Sequence, residues 1–498
     1  MPRFAVAAGH ALTAEAAERA LRDGGTAVDA CIAGALAACV AEPVLAGFFG
    51  GGFLMVRDPS GRARLLDFFV QTPRRRRPEA ERDLREVHAD FGEAAQAFHI
   101  GAAAIAAPGL PSGLWEAQAR YGRLPMTELA RPAAEAAAAG APLSAFQARV
   151  LDVVGPIYRA SPEALKLFGP DGDRLASAGE TLANPAFADV LEEWAREGPR
   201  FASQGEAGAA LLSLAEAGGH LTAQDLTAYA PVWRDPTVER RGDLRLLLNP
   251  APSLGGALIG FSLALLPSAA TALDQACAFA ATARARLEAG DAALDVLATP
   301  ERRARWAEIA ARPAALRGTT HISAVDASGL AAAMTLSNGE GCGLIAPGLG
   351  IMPNNMMGEA DLLPQGLDRW APDRRLASMM APTLADRRDG SVAALGSGGS
   401  NRIRSAMASV LARLADGAPL DLAVAAPRVH AEGRAPQVDF EDDLPEGERE
   451  ALLAAFPEAR PWAPGNLYFG GVHAVRRDPS GAVDAAADAR RDGAVRLG

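Results

Sequence analysis

Gly318-Thr319-Thr320-His321-Ile322-Ser323-Ala324-Val325-Asp326 runs from a small residue through two threonines into the alternation of a buried strand. A threonine at the head of a strand gains a second use if the chain is cut just before it. Cleavage of the Gly318/Thr319 bond gives Thr319 a free α-amino group beside its own hydroxyl, so one residue supplies both nucleophile and general base. The chain would then be a self-activating amide hydrolase. The plain alternative is a strand whose Thr-Thr start merely suits a pleated surface, and the dipeptide alone does not choose between them.

Composition narrows the setting. The 498 residues are 49% hydrophobic, enough to bury a large core, and length alone allows about three domains. Lys plus Arg number 49 against 60 Asp plus Glu, a net charge of −11 that disfavours a nucleic-acid partner. Cys31, Cys39, Cys277 and Cys342 show neither CxxC nor Cys/His ligand spacing and read as free, buried thiols. The N-terminus enters strand-like sequence at Phe4-Ala5-Val6 without an export signal. Apolar Val28 to Val40 is interrupted by Asp29 and ended by Glu42-Pro43, short of the about 20 residues that a bilayer needs. The expectation is a cytoplasmic protein with no membrane contact.

Local signals give a mixed α/β chain. Thr13 to Asp23 has helical spacing and stops at Gly24-Gly25, and Thr26-Ala27-Val28-Asp29 offers a capping box for a second helix. Phe53 to Val56 and Ala63 to Phe69 read as strands, and Leu110 to Leu297 as one long, mostly helical region broken at Gly140, Gly155-Pro156, Gly169-Pro170 and Gly218-Gly219. A helix at Arg302 to Arg312 is followed by Pro313 and Gly318, which mark a short exposed connection suited to processing. Thr319 to Asp326, Ala331 to Leu336, Ser391 to Leu395 and Tyr468 to Val475 are expected strands; Arg402 to Asp416 and Glu448 to Phe456 are expected helices. No internal repeat or interdomain linker is visible, which fits one assembly cut into two subunits.

Gly396-Ser397-Gly398-Gly399-Ser400-Asn401-Arg402 follows a strand and opens a helix, so its N–H groups can converge on a negative oxygen as an oxyanion hole. The alternative is a flexible turn that caps a helix. It matches neither the dinucleotide GxGxxG pattern nor the P-loop. In Asn354 to Asp361, Glu359 or Asp361 can receive a substrate ammonium, although solvated loop acids are the commoner case. Arg74-Arg75-Arg76-Arg77, flanked by Pro73 and Pro78, reads as an exposed loop rather than an anion-steering site. His321 shares the face of Thr319, yet the free amine already provides a base, so a structural hydrogen bond is its expected role. Nothing in the sequence calls for a metal or organic cofactor.

Several ordered motifs together resemble the γ-glutamyltransferase family of N-terminal nucleophile enzymes over nearly the whole length. These are the Leu12 to Val40 opening, Glu42-Pro43, Gly50 to Phe53, Pro252 to Gly256, Thr319 to Ser323, Gly350 to Asn355, Ser378 to Thr383, Gly396 to Arg402 and Ala426-Pro427-Arg428. The resemblance implies a four-layer αββα sandwich, with a largely helical region in the large subunit. It also implies self-cleavage between Gly318 and Thr319, giving a large subunit of residues 1–318 and a small subunit of residues 319–498. It marks Thr319 as the nucleophile, Ser337 of Thr335-Leu336-Ser337 as the hydroxyl that orients it, and Gly399 and Ser400 as oxyanion donors.

The departures fall in substrate recognition. The family's Arg-Glu pair, whose Arg forks onto the γ-glutamyl α-carboxylate, falls on Phe69-Val70, and a phenyl ring cannot replace a guanidinium. The family's Ser-Ser pair falls on Ser378-Met379 and its Asn-Asn-Gln run on Asn354-Asn355-Met356. Glu359 matches the family aspartate that binds the α-amino group, and Asn338 matches a substrate-binding Asn across a short gap. The implied activity is acyl transfer from a threonyl ester to water or an amine, with a small γ-glutamyl or related amide as substrate. A cephalosporin-acylase-like or oxamate-hydrolase-like amidase is the enzymatic alternative, and an unprocessed binding protein is the alternative of another class.

Overall fold

Strand alternation and helix capping divide the chain as elementary rules require. The computed structural model describes residues 2–90, 95–288, 318–359, 362–363, 366–433 and 435–498. Thr26 and Asp29 form the expected capping box at the start of the helix Ala27–Ala41, which follows the helix Ala11–Arg22. The first sheet has seven strands in the order Ala494–Leu497, Ala5–Ala8, Thr320–Val325, Ala331–Ser337, Gly51–Arg57, Ala63–Phe68 and Val232–Arg234. The second has six, in the order Val483–Ala487, Gly471–Arg477, Val392–Gly398, Thr383–Arg387, Leu244–Leu248 and Thr237–Arg241. Every pairing in both sheets is antiparallel.

Alternate residues of one strand enter different cores, the signature of a sheet covered on both faces. Leu54 and Val56 join a core shared with the helices Ala11–Arg22 and Ala27–Ala41, while Phe53 and Met55 join a core shared with Leu384, Leu395 and Val472 of the second sheet. The strand Thr320–Val325 packs on the helix Ala27–Ala41 and on the strands Val392–Gly398 and Gly471–Arg477. The helix Arg402–Ala415 lies on Val392–Gly398 and on the helix Gly255–Leu265.

Three expectations change. The stretch from Leu110 holds many helices, but Val232–Arg234, Thr237–Arg241 and Leu244–Leu248 within it are strands. The last two form a hairpin around Gly242, at φ +57°, so the Leu-rich run Leu244-Arg245-Leu246-Leu247-Leu248 is a buried strand beside Thr383–Arg387. Gly318 is buried rather than part of an exposed connection. Cys277 is exposed on the helix Ala272–Glu288, whereas Cys31, Cys39 and Cys342 are buried free thiols. The expected helix Arg302 to Arg312, Pro313, the far end of the helical stretch at Leu297, and Asp361 lie outside the described residues. Among the described residues no helix is long and apolar enough to cross a membrane.

The sheets meet where side chains are absent. A Cβ placed on Gly396 would collide with the His321 ring, which is held by Thr335 Oγ1 and Ser323 Oγ, each 2.8 Å from a ring nitrogen. The substitution Gly396→Ala therefore overpacks the sheet interface and costs roughly 1–3 kcal/mol. Denaturant unfolding of the two proteins measures this, and an unchanged midpoint would mean that the sheets do not press together here.

Candidate active site

Thr319 immediately precedes the strand Thr320–Val325, and the register Thr320↔Leu336 carried back one residue sets it opposite Ser337. Its neighbour Gly318 is gripped on both backbone groups. The Gly318 N–H donates to Glu340 Oε1 at 2.8 Å, and the Gly318 carbonyl accepts from Ser337 Oγ at 2.7 Å. Only glycine fits, because a Cβ would stand 2.6 Å from Val44 O and 2.8 Å from Gly339 O. The peptide bond that would be cut is thus buried and held, with a hydroxyl donating to the carbonyl that an attack would load with negative charge.

The glycine loop arrives from the other sheet. The strand Val392–Gly398 ends against Thr319, and a Cβ on Gly398 would collide with the Thr319 carbonyl oxygen. Gly399 has φ +115° and Ser400 φ +58°, after which Arg402–Ala415 is helical. Ser400 is one of only four non-glycine residues with positive φ among those described, a strained geometry of the kind kept at sites that need a fixed backbone.

The alternate face of the strand Thr320–Val325 is anchored to the helices. Thr320 Oγ1 donates to Glu42 Oε2 at 2.6 Å and Thr13 Oγ1 to Glu42 Oε1 at 2.7 Å. Burial pushes the Glu42 carboxyl up to about 7, against the opposing pull of the two hydroxyls. His321 is fully buried, bonded through both ring nitrogens, and held well below its usual range first by burial and then by His473; its role is structural, as its sequence position suggested.

The residues matched to substrate binding are distributed unevenly. Glu359 is 5% exposed, not a solvated loop acid, and its Oε1 would lie 2.5 Å from a Cβ on Gly339, which places its carboxylate at the Ser337-Asn338-Gly339-Glu340 turn. Asn338 is buried there too, with Nδ2 donating to Met352 O at 3.2 Å and Oδ1 without a hydrogen-bond partner. Phe69 is a core residue stacked on Phe53 at 5.5 Å between centroids, and Met356 is fully buried in the same core. Ser378 and Met379 belong to a segment docked on residues 253–255: Ser378 O accepts from Leu254 N at 2.7 Å and from Ser253 Oγ at 2.9 Å. Asn354 braces backbone, donating to Phe49 O and Ala106 O.

Among the described residues no free cation replaces the missing guanidinium at Phe69. Arg375 approaches it but is taken up by the Phe69 carbonyl, the Tyr229 hydroxyl and Ala230 O. Arg74 pairs with Asp373 at 2.9 Å, Arg76 donates to Asp368 O, and Arg77 to Gly219 O. This accounts for Arg74, Arg76 and Arg77 as loop ties. Sequence reasoning missed Glu340 and used Glu42 only as a motif. A signal for Glu340 was present, since Asn338-Gly339-Glu340-Gly341-Cys342-Gly343 alternates glycines that all take positive φ and fold the acid back onto Gly318. Among the described residues no cluster of three or more His, Cys, Asp or Glu could hold a metal.

A family model described as gamma-glutamyltranspeptidase matches residues 13–295 and 279–497. The acylase ACY 1 proenzyme of Pseudomonas sp. (strain V22) is 30% identical, covering 99% of this chain and 93% of its own. The glutathione hydrolase proenzyme of Pseudomonas aeruginosa is 30% identical over 86% of this chain and 82% of its own. In fold, cephalosporin acylase from Bacillus halodurans superposes with a TM-score of 0.82 at 23% identity, covering 99% of this chain and 96% of that one. The chain belongs to the gamma-glutamyltranspeptidase family and is an amide hydrolase of that general kind.

Glu42 gives the site a measurable pH signature. The folded protein keeps the Glu42 proton up to about pH 7, whereas the unfolded chain releases it near 4.5, so stability is lost as pH rises through that window, by roughly 3 kcal/mol. Thermal unfolding of wild type and Glu42→Gln across about pH 4 to 8 should show this slope in the wild type and a flatter one in the variant. Parallel slopes would mean that Glu42 is ionised in the fold.

Proposed function

We propose that the chain is a precursor that cuts its own Gly318–Thr319 bond and then acts as an N-terminal threonine amide hydrolase or acyltransferase. The observation that carries this reading is the grip on Gly318 by Ser337 and Glu340, one residue before Thr319. In self-cleavage the Thr319 hydroxyl oxygen attacks the Gly318 carbonyl carbon and the C–N bond breaks. The hydroxyl proton passes to the departing nitrogen, which becomes the free Thr319 α-amine, and water then splits the resulting ester into a Gly318 carboxylate and a free Thr319 hydroxyl. Residues 1–318 and 319–498 then remain together as large and small subunits in a four-layer αββα sandwich. The two sheets packed face to face with helices on their outer sides, and the relatives named as proenzymes, support this.

In turnover the new α-amino group, with an ordinary pKa of about 7.7 to 8.0, takes the Thr319 proton near neutral pH. The oxygen attacks the substrate amide, and the backbone N–H groups of Gly399 and Ser400 receive the negative oxygen. Collapse expels the amine with the transferred proton. Water, or an acceptor amine, then releases the acyl group from Thr319. Ser337, freed from the Gly318 carbonyl, orients the Thr319 hydroxyl, while Glu359 and Asn338 are polar groups that read the substrate. No metal or cofactor enters this scheme, and the four unpaired cysteines suit a reducing cytoplasm.

The substrate is a γ-glutamyl or related amide, in keeping with a glutathione hydrolase relative. The second reading, an acylase-like or oxamate-hydrolase-like amidase, draws on the Phe53–Phe69 stack and on buried Met356, at positions matched to polar residues of the family. Hydrolysis of glutathione and γ-glutamyl anilide by processed protein separates the two, with no turnover removing the γ-glutamyl class. An unprocessed binding protein is the remaining reading. Intact mass should give two fragments for the wild type, one whole chain for Thr319→Ala, and at least about tenfold slower cleavage for Ser337→Ala, which loses one carbonyl-polarising donor. A wild-type chain that stays whole would leave only the binding protein.

A further inference from the structure

A pocket opens beside Gly318, walled by Val44, Leu45, Val150, Val153 and Tyr468, and three arginines reach it. Arg149 is exposed and stands at the rim. Arg402 is committed, with Nε donating to Tyr468 O at 2.8 Å and its guanidinium 4.7 Å above the Tyr468 ring. Arg491 is different. It is 7% exposed, its guanidinium stands 5.9 Å from the centre of the Phe146 ring, and its one side-chain hydrogen bond among the described residues runs from Nη2 to Leu467 O at 3.3 Å. Its Nε is buried without a partner.

The carboxylates of Glu441 and Asp488 are spoken for by its neighbour. Arg490 pairs with Glu441 at 2.5 Å and Asp488 at 3.1 Å, and Asp488 also holds Arg428 at 2.9 Å. Glu42 and Asp488 act on Arg491 only from beyond the 4.0 Å of an ion pair. Burial, reinforced by the neighbouring Arg402 charge, pulls the Arg491 guanidinium down to about 9. A buried cation without a counter-charge is costly, and the cost is relieved by an anion arriving with the ligand.

Its position is also fixed. The Arg491 stem crosses Gly471, where a Cβ would lie 2.9 Å from Arg491 Cβ, and its two terminal nitrogens each stand 3.3 Å from a Cβ built on Gly398 or Gly399. The guanidinium therefore borders the glycine loop that presses on Thr319. In self-cleavage Gly318 is the acyl residue, so the pocket that it lines is on the acyl side of the nucleophile.

We propose that Arg491 is the anion anchor of the acyl pocket: the preferred substrate is an amide whose acyl group has an apolar body and ends in a carboxylate, which Arg491 binds through its planar fork. This rests on the reading of Thr319 as the nucleophile. It moves the anchor from the position of Phe69, where the family carries its guanidinium, to the C-terminal segment.

The test compares acyl anilides in length-matched pairs, succinyl with butanoyl and adipoyl with hexanoyl, on processed protein verified by mass. In at least one pair the carboxylated member should have the higher kcat/KM by on the order of tenfold, because a site built for a charge discriminates strongly against its absence. Arg491→Met should reduce that ratio towards one, and Val150→Glu, which adds a negative charge to the pocket wall without touching Arg491, should reduce it too. Ratios near one in the wild type, or ratios unchanged in both variants, overturn the proposal. Calorimetric binding of succinate and adipate against butanoate and hexanoate judges the anchor without turnover: the dicarboxylates should bind more tightly, and equal affinities overturn it. A wild-type chain that stays uncut defeats the nucleophile reading instead, and the binding comparison still decides Arg491.

Discussion

Gly396 and Gly398 lie where the six-stranded sheet presses on the strand that Thr319 leads, and a Cβ at either would strike His321 or the Thr319 carbonyl. That absence of side chains lets two packed sheets share one small polar layer. His321, Thr335 and Ser323 fill it with short hydrogen bonds, and Ser323 Oγ reaches across to His473 O at 3.1 Å. A satisfied buried network of this kind rigidifies what it touches. The residue at the end of the layer, Thr319, is consequently placed by both sheets at once, with Ser337 from its own sheet and the glycine loop from the other.

Charge is handled by confinement. Glu42 sits between Thr13 and Thr320 and is pushed towards neutrality by burial, so the helices anchor the strand Thr320–Val325 without a full charge in the core. Arg428, Asp488, Arg490 and Glu441 pair among themselves, and breaking such a buried cluster is expensive because it strands a charge. That cluster ties the Ala489–Arg491 turn to the strands beside it and fixes where Arg491 emerges. The same segment thus combines a neutralised set of charges with one that is left to face the pocket.

Much of this was legible because the controlling signals are local. Period-two runs gave the strands around Thr319 and Ala331, the Thr26/Asp29 pair gave a cap, and the glycine run after Leu395 gave a strand-loop-helix turn. The hairpin at Gly242 was lost because Leu244 to Leu248 lacks clean alternation, being covered on both faces by other elements. Gly318 read as an exposed link because glycine and nearby proline usually punctuate surfaces. Its burial depends on Ser337 and Glu340, which lie 19 and 22 residues further along the chain. Arg491 was invisible for a related reason: only tertiary pairing shows that Arg490 takes the carboxylates and Arg491 does not.

The central claim is that Thr319 becomes a chain terminus and carries the acyl group. The direct measurement is to quench processed protein during turnover of an acyl anilide, digest it, and weigh the peptides. The account predicts the acyl mass on the peptide that begins with Thr319, and its absence from Thr319→Ala. An acyl group on another residue, or no peptide beginning at Thr319, would contradict it.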